Sequence, residues 1–177
     1  MGYVQKVNVA MLAVVAMLVL ASCGYHTAGK AARIPDSVHT IAIPVFTNKT
    51  PTYRIETVLT NAVVKEFNTR TKYRIVNQAV PDADATLTGT VISTELAPVT
   101  YDSQTGRAST ALVTVTMSVV LKGRNGQVLY ENSRYVFREQ YQVSRELSSF
   151  FEEEGIAVER LSHDFARTLV SNVLEAF

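Results

Sequence analysis

The chain has 177 residues, with 17 lysine and arginine residues, 16 aspartate and glutamate residues and one cysteine. This near-neutral balance excludes the global basic field with which a protein attracts nucleic acid. A single cysteine excludes an internal disulfide, so the folded part must be held together by its core and its sheet.

The first segment has the pattern of a signal peptide. A short polar start with one charge, Lys6, precedes an uninterrupted apolar run from Val9 to Ala21. The run is shorter than the ~20 residues that a helix needs to cross a bilayer, but it has the length of a secretory h-region. We therefore predict that residues 1–22 are a cleaved signal peptide, and no other segment of the sequence is long and apolar enough to cross a membrane.

The only cysteine follows this run directly. The stretch Leu20 to Cys23 resembles the lipobox of bacterial lipoproteins, with an aliphatic residue, two small residues and a cysteine. The resemblance implies a diacylglycerol on the sulfur and an acyl chain on the new N-terminus. One acyl chain, at ~0.8 kcal/mol per buried methylene, anchors only marginally, whereas two or three hold firmly. Cys23 is thus predicted to be an anchor, and the small polar residues 23–38 a tether that leads from it.

Residues 39–177 are predicted to form one domain of ordinary size. Its first element is a strand over His39–Phe46, which is rich in β-branched residues. Thr50-Pro51 looks like a helix N-cap followed by a proline at the first helical position. Apolar residues then recur at helical spacing from Ile55, and they predict an amphipathic helix that ends near Arg70.

A run of strands follows the helix. Short strands are predicted at Tyr73–Val76 and Ala85–Leu96, and the clearest strand is Ala111–Lys122. In that strand apolar residues alternate with mostly polar ones, which is typical of a strand with one dry face. Arg124-Asn125-Gly126 comes next, and because Asn-Gly is the strongest short hairpin signal, Gln127 to about Phe137 is predicted to be the return strand.

The last element is a long amphipathic helix, predicted from about Gly155 to Phe177. Two helices with one apolar face each need a single sheet face to cover. The predicted fold is therefore an α+β two-layer sandwich, with two helices packed on one face of a mixed, mainly antiparallel sheet of four to five strands. The other face of the sheet, which carries threonines and serines, is predicted to be free for solvent or a partner.

No motif announces catalysis. Ser162-His163-Asp164 contains the residue types of a triad, but adjacent helix residues point in different directions. Glu152-Glu153-Glu154 is more typical of a helix start than of a metal site, and no glycine-rich phosphate loop occurs. We expect neither an enzyme nor a metal or cofactor, apart from the covalent lipid on Cys23.

The whole pattern resembles a known family. The phrases CGYH, HTIAIPVFTN and TPTYRIE, with the hairpins and the C-terminal helix, resemble LptE, the lipopolysaccharide-assembly lipoproteins of Gram-negative outer membranes. The resemblance covers residues 23–177. It implies a non-enzymatic protein, lipid-anchored on the periplasmic side of the outer membrane, that plugs and helps assemble the LptD-type β-barrel. It also implies that the protein binds lipopolysaccharide and assists its insertion into the outer leaflet.

The resemblance also suggests which side chains contact the lipid. The family uses basic residues near the central hairpin loop, which here is YDSQTGR and offers Arg107. Lys122 and Arg124, near the second hairpin turn, are the next candidates. An arginine suits phosphate because its fork binds two oxygens at once, although an ordinary solvated turn residue is the alternative for each. Adjacent hairpins place their loops at opposite ends of a sheet, so Arg107 and Arg124 are not expected to share one site.

The contact with the barrel is expected on the polar face of the sheet, since barrel lumens are polar. The candidates there are Thr114, Thr116 and Ser118. An alternative function is a membrane-anchored periplasmic adaptor that regulates a cell-wall synthase or a secretion channel. Such an adaptor would share the anchor and a similar strand–helix start, and its co-purifying partner would distinguish it.

Overall fold

The structure is a computed structural model that describes residues 30–31, 34–143 and 147–175, without the side chains of residues 30–31 and 147–153. The predicted signal peptide and the predicted anchor, Cys23, lie outside the described residues, as does most of the predicted tether.

Seven strands and two helices make up the described chain. Strands β5, β6 and β7 are long and antiparallel, whereas β2, β3 and β4 are short and pair in parallel. The sheet order is β1-β7-β6-β5-β2-β4, with β3 also on β5. The elements are β1 Lys30–Ala31, β2 Thr40–Ala42, β3 Thr47–Asn48, α1 Ile55–Arg70, β4 Arg74–Val76, β5 Ala85–Tyr101, β6 Ala108–Gly123, β7 Val128–Gln142 and α2 Leu147–Leu174.

This architecture confirms the predicted α+β fold, with two helices on a mixed, mainly antiparallel sheet. The five predicted strands correspond to β2, β4, β5, β6 and β7. The sheet has more strands than predicted because β1 and β3 are pairings of two residues each, too short to leave a pattern in the sequence.

Strand β6 separates the two faces of the sheet. Its residues alternate strictly between buried and half-buried from Ala111 to Leu121. The buried set points toward the helices and into the core, as the period of two along a strand requires. That set contains Ala111, Val113, Val115, Met117, Val119 and Leu121.

The helices cover this face with side chains four residues apart. Helix α1 buries Leu59, Val63 and Phe67, and α2 buries a matching series from Leu161 to Val173. Phe165 of α2 lies at the centre, with its ring edge-on to Phe137 at 5.3 Å between ring centroids. This geometry is one that aromatic pairs prefer.

The entry to α1 differs from the prediction. The helix begins at Ile55, and the residue before it, Arg54, has a left-handed backbone with φ of 58° and no side-chain cap. The prediction of Thr50 as the N-cap is wrong because the side chain of Asn48 holds residues 48–52 in a turn. Its Oδ1 accepts hydrogen bonds from the main-chain N–H and the hydroxyl of Thr50, both at 2.8 Å, and its Nδ2 donates to Thr52 O at 2.8 Å.

Three elements are longer than predicted. Strand β5 runs to Tyr101 and β7 to Gln142, because the β6 ladder continues to pair with both. Helix α2 begins at Leu147 rather than near Gly155. A single glycine in a helix costs only about 1 kcal/mol relative to alanine, so Gly155 does not interrupt it.

The part of the predicted tether that the structure describes is packed against the domain. β1 pairs with β7, with Lys30 opposite Glu131 and Ala31 opposite Tyr130. Ile34 and Val38 then join the buried core. The chain is therefore attached to the sheet before the first predicted strand begins.

Candidate functional site

The long strands have two ends that are built differently. We call residues 102–107, between β5 and β6, the loop end, and residues 124–127, between β6 and β7, the turn end. At the loop end, the Asp102 carboxylate accepts hydrogen bonds from the main-chain N–H groups of Gln104 and Thr105, at 3.0 and 2.8 Å. Arg107 is exposed there, and no hydrogen bond or ion pair with another described residue engages its guanidinium.

At the turn end, Arg124 is committed to the fold. Its Nε donates to Ala83 O at 3.2 Å, and its Nη2 donates to Asp82 O and forms an ion pair with Asp84 at 3.1 Å. Its main-chain N–H donates to Asp84 O at 2.8 Å. The guanidinium thereby joins the turn to the segment that precedes β5.

Asp84 joins the same end to β2. Its Oδ2 accepts hydrogen bonds from the main-chain N–H groups of His39 and Thr40, both at 2.9 Å. These two N–H groups, and then the Arg124 guanidinium, hold the pKa of the Asp84 carboxyl below its usual range. No pattern in the sequence indicates this contact, because it joins residues more than forty positions apart.

The loop and the turn lie at opposite ends of β6, as predicted from the hairpin order. Strand β6 has 16 residues, and at about 3.3 Å per residue it separates Arg107 from Arg124 by roughly 50 Å. Lys122 is exposed near the turn end. The three predicted lipid contacts are therefore divided between two distant places.

The predicted partner contacts do lie together. Thr114, Thr116 and Ser118 are half-buried and face away from the helices. The strand register extends this polar face onto β5, where Ser93 lies opposite Thr116 and Thr90 opposite Ser118. We call the face formed by Thr114, Thr116, Ser118 and their neighbours Thr90 and Ser93 the hydroxyl face.

The hydroxyl face also contains charges that the sequence analysis did not select. Thr114 lies opposite Glu95 on β5 and opposite Arg138 on β7. Both charged residues are exposed. Only the strand register reveals them, because they belong to two different strands, β5 and β7, and share no motif.

The residues with triad letters do not form a triad. The Ser162 hydroxyl is buried and donates to Glu159 O in its own helix at 2.7 Å. His163 and Asp164 are exposed. Beside them, a groove of about 370 Å³ separates α1 from α2, with Val58 and Ala62 on one side and Glu159 and Ser162 on the other.

The described residues contain no group of three or more histidine, cysteine, aspartate or glutamate side chains placed to hold a metal ion. Neither of the two described helices combines the length and the apolar character needed to cross a membrane.

Comparison with known proteins gives a family and a fold. The family model for LptE, described as lipopolysaccharide-assembly, matches residues 38–173. No match is found among curated proteins. Two solved structures share the fold at low identity. One is the rare lipoprotein B from Shewanella oneidensis, at 13% identity and a TM-score of 0.53, over 75% of this chain and 94% of that one. The other is a lipoprotein B from Nitrosomonas europaea, at 14% identity and a TM-score of 0.52, over 86% of this chain and 94% of that one.

Proposed function

Because the chain belongs to the LptE family of lipopolysaccharide-assembly proteins, we propose that it plugs an LptD-type β-barrel of the outer membrane, helps that barrel assemble and assists lipopolysaccharide insertion. The observation that supports this proposal most is the extent of the family match, which runs from two residues before β2 almost to the end of α2. The role is non-catalytic, and it requires a protein surface for the barrel and cationic groups for the lipid.

The anchor supplies the location. Acylation at Cys23, after cleavage of residues 1–22, would hold the domain on the periplasmic side of the outer membrane. Lys30 pairs with β7, so the stretch from Cys23 to Lys30 limits the distance to the membrane. Seven residues reach at most about 25 Å when fully extended. The domain would therefore stay within one barrel height of the bilayer surface.

The hydroxyl face is the proposed contact with the barrel wall. Thr114, Thr116 and Ser118 can each donate and accept hydrogen bonds, so they can match a polar wall without a fixed pattern of charge. Barrel lumens present such polar side chains. Arg138 and Glu95, on either side of Thr114, would fix the orientation by pairing with charges on the wall.

Arg107 is the proposed contact with the phosphate groups of the lipid. It is exposed at the tip of the longest hairpin, and its fork can bind two phosphate oxygens. Lys122 would supply a second cation at the far end of β6. Arg124 ranks below both, because its guanidinium already bonds Ala83 O, Asp82 O and the Asp84 carboxylate.

The proposal is tested by affinity purification of the full chain from outer membranes in mild detergent, followed by mass spectrometry. We expect a large outer-membrane β-barrel in near-equal amount. The matched control is Cys23→Ala, which is expected to lose acylation and to leave the membrane fraction, and with it the barrel. Recovery of a cell-wall synthase or a secretion channel instead would assign the chain to the adaptor function.

A further inference from the structure

The second half of β5 has an unpaired edge. One edge of β5 pairs with β6 along its whole length. The other edge pairs with β2 at Ala85 and Thr86 and with β3 at Thr90 and Val91. From Ile92 to Tyr101 this outer edge has no strand partner among the described residues. We call this segment the β5 edge.

The side chains of the β5 edge are unusually apolar for a strand in contact with water. Ile92, Leu96, Val99 and Tyr101 are 44%, 52%, 44% and 62% exposed. Glu95 is the only charged residue in the segment. Natural proteins protect exposed edges with charged side chains, because a bare edge invites pairing with another strand.

The opposite edge of the same sheet has this protection. β7 pairs with β1 only at Tyr130 and Glu131. Its continuation carries Arg134 and Arg138, both exposed, and Glu139. The continuation of β7 therefore carries three charged side chains, whereas the β5 edge carries only Glu95.

The same side of β5 already accepts a strand just before the β5 edge. β3 pairs there in parallel with Thr90 and Val91, and the main-chain N–H of Lys49 extends this pairing with a hydrogen bond of 3.1 Å to Val91 O. Pro98 has no N–H to donate, so the pairable stretch is Ser93–Ala97. Within it the Thr94 hydroxyl bonds the Thr52 hydroxyl at 2.6 Å, a side-chain contact that is not a strand pairing. Val99 and Tyr101 lie beyond this stretch and would flank the added strand.

From this geometry we propose that an extended segment of the barrel partner adds to the β5 edge at Ser93–Ala97 as a further strand. This proposal rests on the proposed function for the identity of the partner. Main-chain hydrogen bonds would hold the segment, and apolar side chains would cover Leu96, as in other cases of strand addition. A basic residue across from Glu95 would complete the match, because opposite charges pair favourably across strands.

A second copy of the chain fits the β5 edge less well. Antiparallel pairing of two copies about the centre of Ser93–Ala97 would place Glu95 opposite Glu95. Like charges directly opposite each other are destabilising. The edge therefore favours a different polypeptide over self-association.

The first test is photocrosslinking in cells that make the full chain, with a benzophenone amino acid in place of Leu96. The control position is Ile156, which is 46% exposed on α2. It lies one helical turn before Arg160, whose Nε donates to Glu139 on β7, on the other side of β6 from β5. We expect an adduct with the barrel at Leu96 that maps to one contiguous segment, and none at Ile156. Adducts with a second copy or with lipopolysaccharide, or an equal yield at both positions, would overturn the proposal.

The second test compares Leu96→Lys with Ile156→Lys in the same purification. In Leu96→Lys the lysine would be buried without a partner beside the added strand, so the amount of barrel recovered should fall about tenfold. In Ile156→Lys the amount recovered should be unchanged. Both side chains are exposed, so thermal melting monitored by circular dichroism should be the same for the two variants. If the unchanged chain recovers no barrel, the proposed function fails and this inference with it. If it recovers the barrel and Leu96→Lys does so equally, only this inference fails.

Discussion

The two halves of β5 both pair with β6, but they differ in burial and in what occupies their outer edge. In the first half, Ala85 to Val91, every second residue is buried beneath the helices, and short parallel strands occupy the outer edge. In the second half, Ile92 to Tyr101, no residue is buried. Both halves pair with β6, but the register shifts between Val91 and Ser93 and again between Pro98 and Tyr101, so the second half is both less covered and less regular. The first half contributes to the core, and the second half is left available for contact with a partner.

The largest expected effect is a cavity in the covered half. Leu87 is fully buried, so Leu87→Ala should lower the free energy of unfolding by about 2–5 kcal/mol. Leu96→Ala, in the exposed half, should change it by no more than about 0.5 kcal/mol. Urea unfolding of the full chain in detergent measures both values, and similar losses for the two leucines would break the comparison.

A smaller effect is expected from adding a side-chain atom to the packed core beneath the covered half of β5. A Cβ atom at Gly89 would lie 2.8 Å from the ring of Phe46, which is itself buried. Gly89→Ala should therefore destabilise the domain by about 1–3 kcal/mol, since the ring must shift in a packed core. Gly155→Ala is the matched control, because a Cβ there meets nothing within 4 Å and the residue lies in a helix. That control should gain up to about 1 kcal/mol, and a loss in both variants would point to a cause other than packing.

The contribution of Asp84 to stability, at the start of the covered half of β5, should depend on pH. The pKa of Asp84 is lowered in the folded state by the N–H groups of His39 and Thr40 and by Arg124. Its stabilising contribution is thus present above the unfolded pKa, near 4, and is lost as the pH falls through the folded pKa. Asp84→Asn should be less stable than the unchanged chain at pH 7, with the gap in urea midpoint closing below about pH 4. Asp164→Asn, at an exposed position on α2, should follow the unchanged chain at every pH.

The smallest expected effect lies beyond the exposed half, at the loop end. Arg107→Glu should weaken lipopolysaccharide binding roughly three- to tenfold without loss of stability, since an exposed charge contributes modestly. Arg167→Glu reverses an equally exposed charge on α2 and should leave binding unchanged. Titration of the purified chain with lipopolysaccharide measures both, and equal weakening would make Arg107 an ordinary turn residue.

Local sequence patterns predicted most of the fold because each pattern depends only on the residues of its own element. The alternation in β6, the Asn125-Gly126 turn and the apolar spacing of α1 and α2 all predicted elements that the structure contains. Boundaries were less predictable where a side-chain hydrogen bond or a lateral strand contact decided them. Asn48 moved the start of α1 to Ile55, and the β6 ladder carried β5 and β7 past the points where their patterns fade.

The candidate surfaces were predicted unevenly for the same reason. Thr114, Thr116 and Ser118 were found together because they belong to one strand and its period of two fixes their side. The sequence makes Arg124 a candidate lipid contact because its residue type and turn position suit a phosphate. Its partners at Ala83, Asp82 and Asp84 are visible only in three dimensions, and they tie it to the fold.

The sequence by itself determined the family, the two amphipathic helices, the hairpins and a sheet with one dry face, because each depends on periodicity or on short motifs along the chain. The tertiary structure decided which side chains remain available. It engaged Arg124 and left Arg107 exposed, joined the hydroxyl face across strands, and left the β5 edge without a strand partner among the described residues. These outcomes depend on which strands become neighbours and how far the helices extend over them. No short stretch of sequence contains that information, because it arises only when distant segments compete for the same hydrogen bonds and the same apolar cover.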